Sequence, residues 1–415
     1  MIYVSDVPID IFSDRSRWAD MNTWRHRAVA LHDLGPIHRI EPQHFDPFWA
    51  VIGAEAIADV ERRHDEFRNA PEPVLQSRKA IAARQHAIRT LVHMDAPDHS
   101  KYRKLGAIWF RPAQMNRLVD RLDELSEQAL DRLRAAGGAC DFVERIALPY
   151  PLQAVLEILG LPESDYGLML RLTQEMFGQE DPDLRRGGSM TSFAEVVGEI
   201  MAYFTRLTAE RRANPTDDLA SAIANGTIDD RPIPDVDTLS YYLIIATAGH
   251  DTTSYAMSGG MHALIEHPDQ FERLRDDPTL LNQAVEEILR WTSPARHFMR
   301  TVQVDTEIAG QSVAAGDRVY LSYAAGNLDP AVFDEPLRFD VGRDTADRHV
   351  AFGHGVHFCL GAQLARLELR SLFGRLVPEI EHIELAGAAA TTQTTAVGGV
   401  KRLPVRYRLT ELERV

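Results

Sequence analysis

Residues 352–361 read FGHGVHFCLG, and an apolar helical pattern, AQLARLELRSLFGRL, begins directly behind them at 362–376. Cys359 therefore stands at the entrance of a helix. A thiolate there gains from the helix dipole and from free backbone N–H groups, which lower its pKa and its electron-donating push. Gly353, Gly355 and Gly361 permit a tight turn and close backbone approach. A lone cysteine is by default inert packing. No C-x-x-C-H run and no second Cys/His pair accompanies this one, so zinc does not account for the segment.

The surroundings are those of a large globular chain. Its 415 residues are 45% hydrophobic and 26% charged, with no Ser/Gly-rich or Pro-rich linker, which predicts one domain over 1–415. A net charge of −16 argues against general binding to nucleic acid or anionic membrane. The N-terminal MIYVSDVPIDIFSDRSRW has neither a signal-peptide core nor a membrane-length apolar run, and the two cysteines make no disulfide framework. A cytoplasmic protein is expected, with Cys140 as a small packing residue.

Apolar steps of three and four predict helices over 113–136, 149–160, 190–213, 234–266, 279–292 and 360–376. Strand-like pieces are few: Ile37 to Ile40, Phe48 to Ile52, and Phe298 to Tyr323 with turns at AGQ and AAGD. The class is mainly α, a helix-rich α+β protein without regular βαβ alternation. Segments 71–94 and 178–192 carry Pro, Gly and charge, and read either as lids or as ordinary surface loops.

Three further clusters carry chemistry. AGHDTT at 248–253 interrupts the longest helical pattern with glycine and threonines, either as a small-residue packing contact or as a local opening. AVEEILRW places Glu287 and Arg290 at i and i+3, although Glu272 and Arg275 satisfy the same spacing. In MDAPDHSKYRKLGAIWFRP, Asp95 and Pro97 open a helix on which His99 and Arg103 share a face, either solvated or binding an anion.

The segment 352–361 resembles the cytochrome P450 loop F-G-x-G-x-[HR]-x-C-x-G at every fixed position. A chance match in a chain of this length is on the order of one in a million. The other clusters resemble family segments in the right order, over about residues 90 to 405, and CDFVERIALPYPLQAVLEILGLPESD is similar to the bacterial α-terpineol-oxidising subfamily. Leu328 departs from the arginine of many relatives. The resemblance implies the P450 fold, a triangular helical prism with small β-sheets around a buried haem b. It implies Cys359 as the axial iron ligand, with Phe352 near its sulfur and Gly353 and Gly361 shaping the loop. His99, Arg103, Arg300 and His357 would serve the propionates, and Glu287, Arg290 and Arg343 would form a structural network. Ala248 and Gly249 would leave a groove for dioxygen, and Asp251 and Thr252 would deliver protons. His250 is expected to face its helix surroundings rather than the iron.

The implied activity is a monooxygenase that hydroxylates a small apolar substrate, a monoterpenoid or aromatic hydrocarbon ahead of a steroid or fatty acid. Family positions place the pocket at Leu243, Thr247, Ala248, Ala295, His297, Phe298 and Val397. No flavin or nicotinamide domain is visible, so electrons are expected from a [2Fe-2S] ferredoxin and its reductase. The ferredoxin would dock on a basic face near Lys101, Arg103, Lys104 and Arg111 of a monomer. A non-catalytic haem sensor or carrier is the alternative.

Overall fold

A computed structural model describes residues 10–82, 89–184 and 190–410. Eleven of its helices matter here: α1 (Met21–His32), α2 (Ala54–Arg62), α3 (Asp98–Ala107), α4 (Pro112–Ala136), α5 (Pro149–Leu159), α6 (Tyr166–Phe177), α7 (Met190–Ala213), α8 (Asp235–Ala248), α9 (Asp251–Glu266), α10 (Leu281–Thr292) and α11 (Ala362–Leu376). The six expected helical segments are all present. Sequence punctuation accounts for two of them: α4 and α5 each start on proline and stop at a left-handed glycine, Gly137 and Gly160, both at φ +68°.

The segment expected over 234–266 is two helices meeting at Gly249 and His250. A Cβ on Gly249 would lie 2.8 Å from Val155 Cγ2, so the missing side chain lets α5 press against the junction. Helices α4, α5, α8, α9, α10 and α11 contribute to one continuous apolar core, with Leu125, Leu130, Ile146, Met257, Met261, Ile288 and Leu372 among its residues.

The β structure is minor. Strands β1 (Ile37–Ile40), β2 (Phe48–Val51), β3 (Phe67–Arg68), β5 (His297–Val302) and β6 (Arg318–Ser322) form a sheet ordered β1-β2-β6-β5-β3, in which only β2 and β6 pair in parallel. A second sheet joins β4 (Ala139–Asp141), β7 (Ile380–Leu385) and β8 (Pro404–Leu409). Cys140 lies on β4, half-buried and opposite Val405. The AGQ turn is present, with Ala309 and Gly310 at φ +47° and +81°. Leu328 is buried in the apolar cluster beneath α1 and β2, a site a leucine satisfies without a charged partner. Of the segments 71–94 and 178–192, residues 83–88 and 185–189 lie outside the described residues. Among the described residues, no helix is long and apolar enough to cross a membrane.

Candidate functional site

The loop before α11 is shaped by close contact with α2. Gly353 and Gly355 both sit at φ +65°, and a Cβ on Gly355 would lie 2.3 Å from the Glu61 carbonyl oxygen. Glu61 fixes the loop through its side chain as well: Oε2 accepts from the His354 backbone N–H at 2.7 Å, while Oε1 accepts from Tyr323 at 2.5 Å and from Arg300 at 2.8 Å. Gly361 differs. Its φ is −88°, and no atom lies within 4 Å of where its Cβ would be, so it borders open space rather than a tight turn.

Cys359 donates its backbone N–H to the Phe352 carbonyl at 2.9 Å. The residue is exposed, yet burial pushes the thiol above its ordinary pKa, against opposing contributions from the Gly361 N–H, Arg103, Arg366 and the Ala362 N–H. The helix entrance thus does not lower this thiol overall, contrary to the expectation from its position; desolvation prevails over the dipole. Exposure and burial are reconciled if the sulfur faces an enclosed space. At the α8–α9 junction, Ala248 is exposed and Thr252 half-buried among the buried residues Ala246, Thr247, His250, Asp251 and Thr253.

Donors crowd the same loop. The rings of His99 and His357 lie 3.9 Å apart. Burial, then repulsion from Arg103, pulls His99 down to about 4. Burial, followed by the proximity of His99, Arg300, Arg103 and His64, pulls His357 down to about 2. Arg103 turns inward and donates to the Phe358 carbonyl at 2.6 Å, and burial lowers its pKa too. Buried donors that repel one another form a ready place for an anion. Arg300 is already occupied, by Glu61 and by the Met299 carbonyl. Among the described residues, no group of three or more His, Cys, Asp or Glu side chains could hold a metal. An iron at Cys359 would therefore need its other ligands from a carrier. The set of one accessible thiol, open space beside Gly361 and unneutralised donors fits haem with its two carboxylates.

Behind the loop, Glu287 and Arg290 form a fully buried bidentate pair at 2.7 and 2.8 Å, and Arg343 Nε reaches the same carboxylate at 3.1 Å. Both arginines also donate to carbonyls of the 327–338 stretch, including Asn327 and Asp334. The competing spacing is only a surface pattern: Arg275 pairs with Asp276 instead of Glu272. Sequence reasoning missed Glu286, the adjacent acid. It accepts from Arg366 at 2.7 and 2.8 Å and from His349 at 3.1 Å, and the Arg366 guanidinium lies 4.6 Å above the Phe352 ring.

On α9, the Thr252 hydroxyl donates to the Ala248 carbonyl at 2.7 Å. Asp251 is buried, with Oδ1 3.2 Å from His250 Nδ1 and Oδ2 without a hydrogen-bond partner. Of the pocket candidates, Leu243 and Thr247 are buried and joined by a 2.7 Å hydrogen bond, and Ala295 bridges Val397. His297 is a correction. Its Nε2 accepts from the Leu75 N–H at 2.9 Å, its Nδ1 meets the Thr395 carbonyl at 3.1 Å, and the ring stacks on Tyr320. Burial lowers it to about 3, so it is a neutral strut with no nitrogen left for a ligand, whereas Phe298, next along β5, is half-buried near Tyr323. A cavity of about 280 Å³ lined by Trp18, Arg25, Tyr255, His262, Trp291 and Arg296 includes none of the expected haem contacts.

The basic face is smaller than expected. Lys101 pairs with Asp229 at 2.5 Å and Arg103 points inward, leaving Lys104, Arg111 and Arg117 exposed around Ile108, which is 50% exposed.

Residues 188–407 match the family model of cytochrome P450. Cytochrome P450-terp of a Pseudomonas species is 36% identical over 91% of this chain and 92% of its own. Linalool 8-monooxygenase of Pseudomonas putida is 32% identical over 90% of this chain and 95% of its own. The crystal structure of CYP108D1 from Novosphingobium aromaticivorans superposes with a TM-score of 0.86 at 42% identity, covering 96% of this chain and 97% of that one.

Proposed function

The chain belongs to the cytochrome P450 family, and from that premise we propose that it is a monooxygenase in which Cys359 would hold haem b through its thiolate, hydroxylating a small apolar substrate. The observation that carries the assignment is an accessible thiol just before α11, beside the crowded donors His99, Arg103 and His357. When bound, the haem supplies the redox centre at which dioxygen is reduced and one oxygen atom enters a C–H bond.

The chain's own residues do the rest. The Cys359 thiolate would ligate the haem iron and supply electron density to it. His99, Arg103 and His357 would hold the propionates, with Arg300 joining only if it leaves Glu61. Phe352, held beneath Arg366, packs by the sulfur, and Gly353 and Gly361 keep the backbone clear. Ala248 and Gly249 would leave room beside the haem at the α8–α9 junction, where Asp251 and Thr252 would move protons. Leu243, Thr247, Ala295, Phe298 and Val397 exclude water and orient the substrate. Glu287, Arg290 and Arg343 brace the loop from behind, and the whole chain acts as one domain.

The substrate is a monoterpenoid or aromatic hydrocarbon. Support comes from the similarity to linalool 8-monooxygenase and from the apolar side chains of Leu243, Ala295, Phe298 and Val397. Electrons come from a separate [2Fe-2S] ferredoxin, docked on Lys104, Arg111 and Arg117.

The test is the absorption spectrum of the reduced, carbon-monoxide-bound protein. A thiolate-shifted Soret band is expected in the wild type and its loss in Cys359→Ala; absence of the band in the wild type would refute the assignment. Terpenes, alkylbenzenes and steroids can then be screened for the spin shift that accompanies displacement of water.

A further inference from the structure

The cavity of about 280 Å³ lies between the start of α1, the middle of α9 and the end of α10, and two arginines line it. Arg25 is half-buried, lies 4.0 Å above the Trp291 ring and donates to the Trp291 carbonyl at 3.1 Å. Arg296 is buried and lies 4.3 Å above the Trp18 ring; it donates to Thr392 and Thr394, which offer only carbonyl and hydroxyl oxygens. Its seat is made by Gly398, where a Cβ would lie 2.7 Å from Arg296 Nη2. Burial pulls each guanidinium down to about 10, so both are cationic at neutral pH. The carboxylates that act on them are engaged elsewhere. Glu266, which acts on Arg25, lies 3.7 Å from His262. Glu180 and Asp181, which act on Arg296, hold the Thr395 N–H at 2.6 Å and Lys401 at 2.7 Å. Among the described residues neither arginine has an ion-pair partner, although desolvated charge calls for one.

We propose that this cavity binds a monocyclic organic monocarboxylate, with the carboxylate paired to Arg25 and the ring against Met21, Trp291 and Val400. Arg25 has N–H donors beyond the one given to Trp291, which suits the planar fork of a carboxylate. Arg296 adds positive charge from the same lining. Exposed Asp20 and Glu266 at the mouth disfavour a dianion such as a phosphate monoester. Size agrees: an apolar cavity of roughly 150 Å³ holds benzene, so this one takes a single ring with its carboxylate and excludes a fused steroid. The inference goes beyond the oxygenase reading, because none of the expected haem or substrate contacts lines this cavity.

The probe is 4-fluorobenzoate, followed by fluorine NMR on the haem-loaded protein at neutral pH, with 4-fluorobenzamide as its neutral counterpart. Saturable binding of the acid is expected, with the amide about tenfold or more weaker. The haem absorption spectrum should stay unchanged through the titration, because the probe sits away from the iron. Arg25→Gln should weaken binding of the acid about tenfold or more. Met21→Trp fills the cavity and leaves both arginines in place, and it should weaken binding as much. Both variants should keep the wild-type haem spectrum; if Arg25→Gln does not fold, Met21→Trp decides. No saturable binding up to about 10 mM would overturn the inference. Equal affinity for acid and amide would overturn it too. So would a haem spectral shift on binding that neither variant alters, which would put the probe beside the iron.

Discussion

The Arg300 guanidinium donates to the Glu61 carboxylate at 2.8 Å with both side chains in the interior, and the same carboxylate holds the His354 backbone N–H at 2.7 Å. Glu61 thus ties the sheet to the cysteine loop from 293 residues away in sequence. Glu61→Ala leaves a buried cation unpaired and should cost about 3–5 kcal/mol in urea unfolding. Glu61→Gln keeps hydrogen-bonding capacity and should cost about half as much. The thiolate band should be lost on warming in the same order. Equal stability of the two variants would show that the hydrogen-bonding capacity kept by glutamine is immaterial and that the loss of charge accounts for the whole cost.

Glu286 gives the loop a dependence on acid. Burial pushes its carboxyl up, but hydrogen bonds from His349 and Arg366 outweigh that and hold it at about 2. A depressed folded pKa contributes stability that is complete above the unfolded carboxylate value and is lost as pH falls toward about 2. The shift corresponds to roughly 3 kcal/mol. Urea unfolding at pH near 7 should show wild type more stable than Glu286→Gln by roughly that amount. Near pH 3 the gap should shrink to about half. A constant gap would refute the linkage.

Local signals account for what the sequence reveals. Proline at the start and glycine after the end delimit α4 and α5, and the AGHDTT glycine marks where α8 stops. Glu287, Arg290 and Arg343 came from the resemblance, since spacing alone could not separate Glu287 from Glu272. What was hidden depends on pairings distant in sequence. Nothing around Glu61 announces Arg300 or the His354 amide. Glu286 and Glu287 are adjacent acids on one helix, and only packing sends one to Arg366 and the other to Arg290. The inward turn of Arg103 and the use of both nitrogens of His297 are likewise tertiary facts. The second sheet was missed because β4 is a three-residue strand whose partner, β8, lies near the other end of the chain.

Charge reversal tests the docking face. Lys104 and Arg111 are exposed and no ion pair holds them among the described residues, whereas Lys101 is matched by Asp229. Lys104→Glu or Arg111→Glu should slow electron transfer from an acidic ferredoxin about tenfold at low ionic strength, an effect that shrinks as salt rises. Lys101→Glu should do less, because that charge is already locally compensated. Unchanged rates for Lys104→Glu and Arg111→Glu across salt concentrations would remove this surface from consideration.

The Thr252 hydroxyl gives the sharpest separation of structure from chemistry. It donates its proton to the Ala248 carbonyl at 2.7 Å, the ordinary back-bond of a threonine in a helix, and a hydroxyl so engaged keeps its lone pairs free to accept. Thr252→Val preserves shape and removes only that group. If the hydroxyl merely satisfies the carbonyl, the variant should lose about 1 kcal/mol in unfolding and turn over normally. If it takes part in proton delivery with Asp251, electron uptake should continue while product per dioxygen consumed falls about tenfold or more. The missing yield should appear as hydrogen peroxide, with the thiolate-shifted band unchanged. Thr252→Ser should restore most of the yield, because it returns the hydroxyl without the methyl group. Full coupling in Thr252→Val would confine Thr252 to a structural role and leave Asp251 as the remaining candidate for proton delivery.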